Sequence, residues 1–177
     1  MALIPLTVGT VVALIVISLV SWATSHSTST NAGASTNSLV GTVVKPFGPL
    51  PGLNGGTVSA PYASGHPTVV MMMASWCDPC KAEMPSIAAY LRTHSTGDVR
   101  VVAVDTNDQR SSAQAFVRRD GVTIPVAFDQ AASVATNTFG FLAIPDTVFL
   151  NGHGRVVAVV EGRLTVARLR SGIASLR

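Results

Sequence analysis

The chain has 177 residues, a net charge of +3 and a charged fraction of 12%, about half the quarter usual for a soluble domain. Its mean hydropathy is +0.43, and part of the apolar excess gathers at the N-terminal end. The basic residues are scattered: Arg118-Arg119 and the tail residues Arg163, Arg168, Arg170 and Arg177 are spaced as on solvated helix faces, which excludes a dedicated nucleic-acid surface.

From Leu3 to Trp22 the sequence reads LIPLTVGTVVALIVISLVSW, with no charge. Twenty helical residues span roughly 30 Å, the thickness of the hydrocarbon core of a bilayer. Residues 1–23 therefore read as a transmembrane anchor or a signal peptide. The apolar run is long for a signal-peptide core, and no Lys or Arg opens it, which favours the anchor. Ser21 and Ala23 do sit at the −3 and −1 spacing that a signal peptidase takes. Residues 24–40 begin TSHSTSTNAGASTNS, small and uncharged, and read as a flexible tether in which His26 is a solvated histidine. The first basic residue is Lys45, so charge bias does little to set orientation. The remainder of the chain belongs outside the cytoplasm on either reading, as a membrane-tethered or secreted domain.

Residues 41–177 make one domain of ordinary size, enough for a core without a structural disulfide. Pro67–Ala74 (PTVVMMMA) is a continuous apolar run, the pattern of a strand buried on both faces. Its three methionines alternate faces, so they read as core packing and not as a copper site. A helix is predicted from Pro79 to His94, with Met84, Ile87, Ala88 and Leu91 at helical spacing. Val99–Val104 predicts a second buried strand and Ser111–Arg119 a helix that Gly121 stops. Ile124–Phe128 predicts a short strand and Gln130–Thr138 a short helix. Asp146–Leu150 and Arg155–Glu161 flank Asn151-Gly152-His153-Gly154, a turn that predicts an antiparallel hairpin with His153 exposed. Leu164–Leu176 is an amphipathic helix. This order predicts an α/β fold with a central mixed sheet covered by helices on both faces.

The only two cysteines, Cys77 and Cys80, lie between a buried strand and a helix. A disulfide across two residues closes too small a loop to stabilise much. A zinc site wants four ligands, and no second pair is present. Redox exchange needs only the pair. A helix N-terminus favours the thiolate, which is the nucleophile. Pro79 fits the first helical turn, where its missing N–H has no partner anyway. The spacing lets Cys77 attack and Cys80 resolve.

WCDPCKAEMP then resembles, at every fixed position, the W-C-x-P-C-x-x-E-x-P signature of the thioredoxin-fold, membrane-anchored thiol-disulfide oxidoreductases of the TlpA/ResA/CcmG group. VVAVDTND, TIPVAFD and FGFLAIPDTVFLNGHGRVV resemble its later blocks in order, and residues 111–139 its central insertion. The resemblance implies a thioredoxin-like fold, no cofactor and no metal. It makes Cys77 the nucleophile and Cys80 the resolving thiol, with Glu83 an acid one helical turn beyond that tunes the thiols or relays a proton. Trp76 becomes a wall of the site. Pro145 becomes a cis-proline beside the disulfide, and the backbone of Ile144 a rail for an extended client. It further implies disulfide-containing client proteins, with the apocytochrome c CxxCH segment the foremost class, and a membrane electron donor of CcdA or DsbD type. Two other readings stand beside the reductase: a disulfide-forming oxidase, and a copper-binding assembly factor of the Sco type, which wants C-x-x-x-C and a well-placed later histidine. Two positions depart from the pattern. Met71 stands where thioredoxin has a buried aspartate, and Asp146 where threonine usually comes after the cis-proline. With Asp78 and Glu83, Asp146 would place three acids near the pair and oppose an unusually acidic Cys77.

Overall fold

The computed structural model describes residues 36–140 and 143–177. The expected anchor and residues 24–35 of the expected tether lie outside them. The end of that tether already belongs to the fold. Thr36–Leu39 form a 3-10 turn, and Gly41 N–H donates to the Val156 carbonyl at 2.8 Å while Val156 N–H returns to Thr42 at 2.9 Å.

No element is predicted between residues 41 and 66, where Pro46, Pro49, Pro51, Gly52, Gly55 and Gly56 punctuate the chain. Two short strands nevertheless form there, β1 (Leu50–Pro51) and β2 (Thr57–Val58), paired antiparallel. A bridge from Gly52 to Ala127 ties them to the main sheet. The main sheet contains β3 (Thr68–Met73), β4 (Arg100–Thr106), β5 (Val126–Asp129), β6 (Asp146–Leu150) and β7 (Val156–Glu161). Its order is β5-β4-β3-β6-β7. The pairs β3–β4 and β4–β5 are parallel, while β3–β6 and the β6–β7 hairpin are antiparallel. The segment 111–139, expected as the insertion, supplies the edge strand β5 and most of the helix before it.

The α-helices among the described residues are α1 (Asp78–Thr93), α2 (Arg110–Arg119) and α3 (Val166–Ala174). Alternation along the strands divides the core in two. Val69, Met71 and Met73 point into one cluster with Val101 and Ala103, and Val70 and Met72 into the other with Val102 and Val104. The three methionines therefore pack on opposite faces, as their spacing predicts. The two faces are covered unequally. Buried residues of all three α-helices, among them Met84, Phe116 and Leu169, join the first cluster. The second is closed by the N-terminal segment through Val44 and Phe47, by Tyr62 of a 3-10 turn at Pro61–Ser64, and by Val134, Ala135 and Phe139.

The helix predicted over Gln130–Thr138 is instead a single π turn at Val134–Thr138. Ala132 adopts a φ of 54°, left-handed backbone that ends any helix begun at Gln130. The Asp129 carboxylate then accepts the N–H groups of Ser133 and Val134 at 3.0 and 2.8 Å and starts the turn afresh. Helix α3 is shorter than its pattern because Thr165 caps it, its Oγ1 accepting the Arg168 N–H at 3.2 Å.

Candidate active site

Strand β3 ends at Met73, buried on both faces, and the chain turns through Ala74–Trp76 into α1. The helix begins one residue earlier than Pro79 because Cys77 is its N-cap, with Sγ accepting the Cys80 N–H at 3.1 Å. The sulfur thus sits at the positive end of the helix, where negative charge is favoured. Cys77 and Cys80 are joined as a disulfide with Sγ atoms 2.01 Å apart. Cys77 is 4% exposed and Cys80 not at all, so both are buried in the disulfide form and Cys77 is the residue nearer to solvent.

The structure places each of the other residues singled out by sequence. The Ile144–Pro145 peptide bond is cis, and Ile144 packs against the cluster that holds both cysteines. Trp76 is 51% exposed and is fixed by its Nε1–H, which donates to the Asn107 carbonyl at 2.8 Å. Asn107 presents that carbonyl from left-handed backbone, φ 51°. Glu83 is not a solvated first-turn glutamate. It is 4% exposed, and its Oε2 accepts the Leu164 N–H at 2.6 Å. Burial pushes its carboxyl up to about 7, against the Leu164 hydrogen bond and the positive charge of Arg163.

The notion of three acids acting as full charges on the thiols needs correction. Asp78 is fully exposed and bonded to Lys81 Nζ at 2.7 Å; that hydrogen bond, then the lysine charge, lowers its pKa and offsets its field. Asp146 is buried and its pKa is raised, first by desolvation. Met71 is 2% exposed and simply packs on the cysteine face.

Two acids that sequence reasoning missed lie beside the loop leading to Cys77. Asp108 accepts the Ser75 N–H at 2.6 Å, the Ser75 hydroxyl at 3.0 Å and the Gln109 N–H at 2.6 Å. It therefore anchors the residue before Trp76 to the β4–α2 loop. Asp105 is wholly buried, and its register partner across the sheet is Met73. Neither of its oxygens makes a hydrogen bond of good geometry among the described residues. Burial, then the like charge of Asp108 and the proton the pair can share, push its carboxyl up to about 8. The one signal for it was a charge closing the apolar run VVAVD. Among the described residues no three His, Cys, Asp or Glu side chains gather as metal ligands.

Residues 40–159 match the model of the AhpC/TSA family. The chain belongs to that family. Within it, the chain is 28% identical over 116 residues to the thiol-disulfide oxidoreductase ResA of Halalkalibacterium halodurans, a match covering 66% of this chain and 65% of that protein. It is 25% identical over 121 residues to the sporulation thiol-disulfide oxidoreductase A of Bacillus subtilis, covering 67% and 72%. This chain spans less than two thirds of the length of several of the ResA proteins it matches, as in the 62% of the Bacillus subtilis ResA. Among solved structures, MTB DsbF in its mixed oxidised and reduced forms superposes with a TM-score of 0.64 at 29% identity, over 73% of this chain and 95% of that one. A DsbF homologue from Corynebacterium diphtheriae gives 0.64 at 26%, over 76% and 85%. The fold of this AhpC/TSA member is thioredoxin-like.

Proposed function

We propose that the protein is a thiol-disulfide oxidoreductase that reduces disulfides in client proteins outside the cytoplasm. The observation that carries this reading is the Cys77–Cys80 pair at the N-terminus of α1, the first residue 4% exposed and the second fully buried, with Ile144, whose bond to Pro145 is cis, packed against the same cluster. In the reduced protein the Cys77 thiolate attacks one sulfur of a client disulfide, and the other client sulfur leaves as thiolate and takes a proton. Cys80, deprotonated, then attacks Cys77 Sγ and expels the second client thiolate. Two electrons pass to the client, and the Cys77–Cys80 disulfide remains. A dithiol donor must return two electrons for another turnover. Glu83 follows the resolving thiol by three residues on α1, and a carboxyl near 7 can both give and take a proton at neutral pH. Trp76 forms a rim of the client site, and the backbone of Ile144 pairs with an extended client segment. Residues 1–23 anchor the domain to the membrane and residues 24–35 are the tether. Apocytochrome c is the client class and a CcdA- or DsbD-like protein the donor that the family resemblance favours.

The test is trapping. Cys80→Ser keeps the attacking sulfur and removes the resolving one, so mixed disulfides at Cys77 accumulate and their partners can be identified. Cys77→Ala should abolish insulin reduction; a variant that still reduces insulin overturns the mechanism.

A further inference from the structure

Asp146 occupies the position after the cis-proline and is 2% exposed. One of its carboxylate oxygens accepts the Ala143 N–H at 2.9 Å, two residues ahead of Pro145. The other accepts the Gly162 N–H at 2.9 Å, in the loop between β7 and α3. Two residues along that loop, the Leu164 N–H donates to Glu83 of α1 at 2.6 Å. The stretch Gly162–Leu164 is thus tied by one carboxylate to the cis-proline turn and by another to the helix that carries both cysteines. Bonds of this kind are charge-assisted, and a buried N–H that loses its acceptor has no water to replace it.

We propose, resting on the functional reading above, that Asp146 is a positioning residue for client docking. It holds the Ala143–Pro145 backbone in register with Cys77 through the Gly162–Leu164 loop and Glu83. A client segment lying along Ile144 must bring its sulfur in line with Cys77 Sγ, and such an approach tolerates little slack. Neither threonine nor asparagine reproduces the clasp. Threonine offers one acceptor oxygen, and asparagine turns an N–H₂ donor toward one of the two N–H groups. The charges facing the two acids are Glu161, the register partner of Asp146 on β7, and Arg163 beside Glu83. Glu161 favours the neutral form of Asp146, while Arg163 favours the ionised form of Glu83.

The experiment compares the reduced full chain with its Asp146→Asn and Asp146→Thr variants in single turnover. One substrate is a short peptide closed by an internal C-x-x-C disulfide. The other is 5,5′-dithiobis(2-nitrobenzoate), which has no peptide backbone to dock. The half-saturating peptide concentration should rise roughly tenfold in Asp146→Asn, the size of one lost charge-assisted hydrogen bond. The limiting rate should change less than that, and so should the rate with the small disulfide. Circular dichroism checks folding, and the threonine variant carries the test if asparagine is not tolerated. An unchanged half-saturating concentration, or an equal loss on both substrates, overturns the positioning role while leaving the oxidoreductase reading intact. A parent chain that reduces neither substrate overturns both.

Discussion

Glu83 Oε2 accepts the Leu164 N–H at 2.6 Å across 81 residues of sequence, so a carboxylate one helical turn from Cys80 belongs to α1 and to the β7–α3 loop at once. Its carboxyl, raised to about 7 by burial, passes from mostly neutral to mostly charged between roughly pH 6 and 8. In the reduced protein the charged form opposes thiolate at Cys77. Glu83→Gln should therefore lower the Cys77 pKa and remove an inflection near pH 7 from the rate of alkylation. Asp98→Asn, an exposed change, is the control. Glu161 does not serve as one, because it sits opposite Asp146. Superimposable alkylation profiles for parent and Glu83→Gln would remove Glu83 from the chemistry.

Asp105 predicts a stability effect whose sign depends on pH. Its folded-state value of about 8 lies above the ordinary 3.8, so between those limits the folded protein holds a proton that the unfolded chain has lost. The favourable contribution is complete below about pH 4 and is lost as pH rises toward 8. Asp105→Asn keeps the shape, removes the like charge beside Asp108 and can donate to it. The variant should gain stability over the parent at pH 9 and gain nothing at pH 4, read from urea midpoints. An equal change at both pH values contradicts the ionisation argument.

Asp78 and Lys81 form an exposed pair at 2.7 Å whose opposite charges offset each other near Cys77. Asp78→Asn leaves the lysine charge uncompensated and should lower the Cys77 pKa. Adding Lys81→Gln should return it close to the parent value. The shift is expected below about one unit because solvent screens both groups. A single Asp78→Asn variant that titrates like the parent, under low salt, would mean that neither charge reaches the thiol.

Gly172 lies in α3 where the helix meets Phe149. A Cβ there would stand 2.1 Å from Phe149 Cε1, and that ring is completely buried. In an exposed helix, glycine to alanine would gain about 1 kcal/mol. Here the overlap decides the sign, and Gly172→Ala should destabilise the protein by about 1–3 kcal/mol. Chemical denaturation measures it. A variant more stable than the parent would show that α3 can shift away from the sheet at little cost.

Periodicity and short motifs determined much of this protein in advance. A run of apolar residues with no charge marks β3 whatever surrounds it, and a proline next to a cysteine at the head of an amphipathic run marks the start of α1. The hairpin turn at Asn151–Gly154 and the opposite facing of Met71, Met72 and Met73 are likewise local matters of backbone geometry. The places where local pattern failed also have local causes, as at Gln130–Thr138, where Ala132 leaves helical backbone and Asp129 restarts the chain. What only the tertiary structure decided is the electrostatic state of the acids. Glu83 reads as an acid near the thiols, and only the fold buries it and brings it the Leu164 N–H from 81 residues away. Asp108 reads as a loop residue until Ser75, 33 residues earlier, donates to it twice. A carboxylate's pKa is set by the dielectric and the donors around it, and those arrive from other elements once the sheet has assembled in its own order. The cysteines could be found from the sequence. Which acids face them charged, and which face them neutral, is a property of the fold.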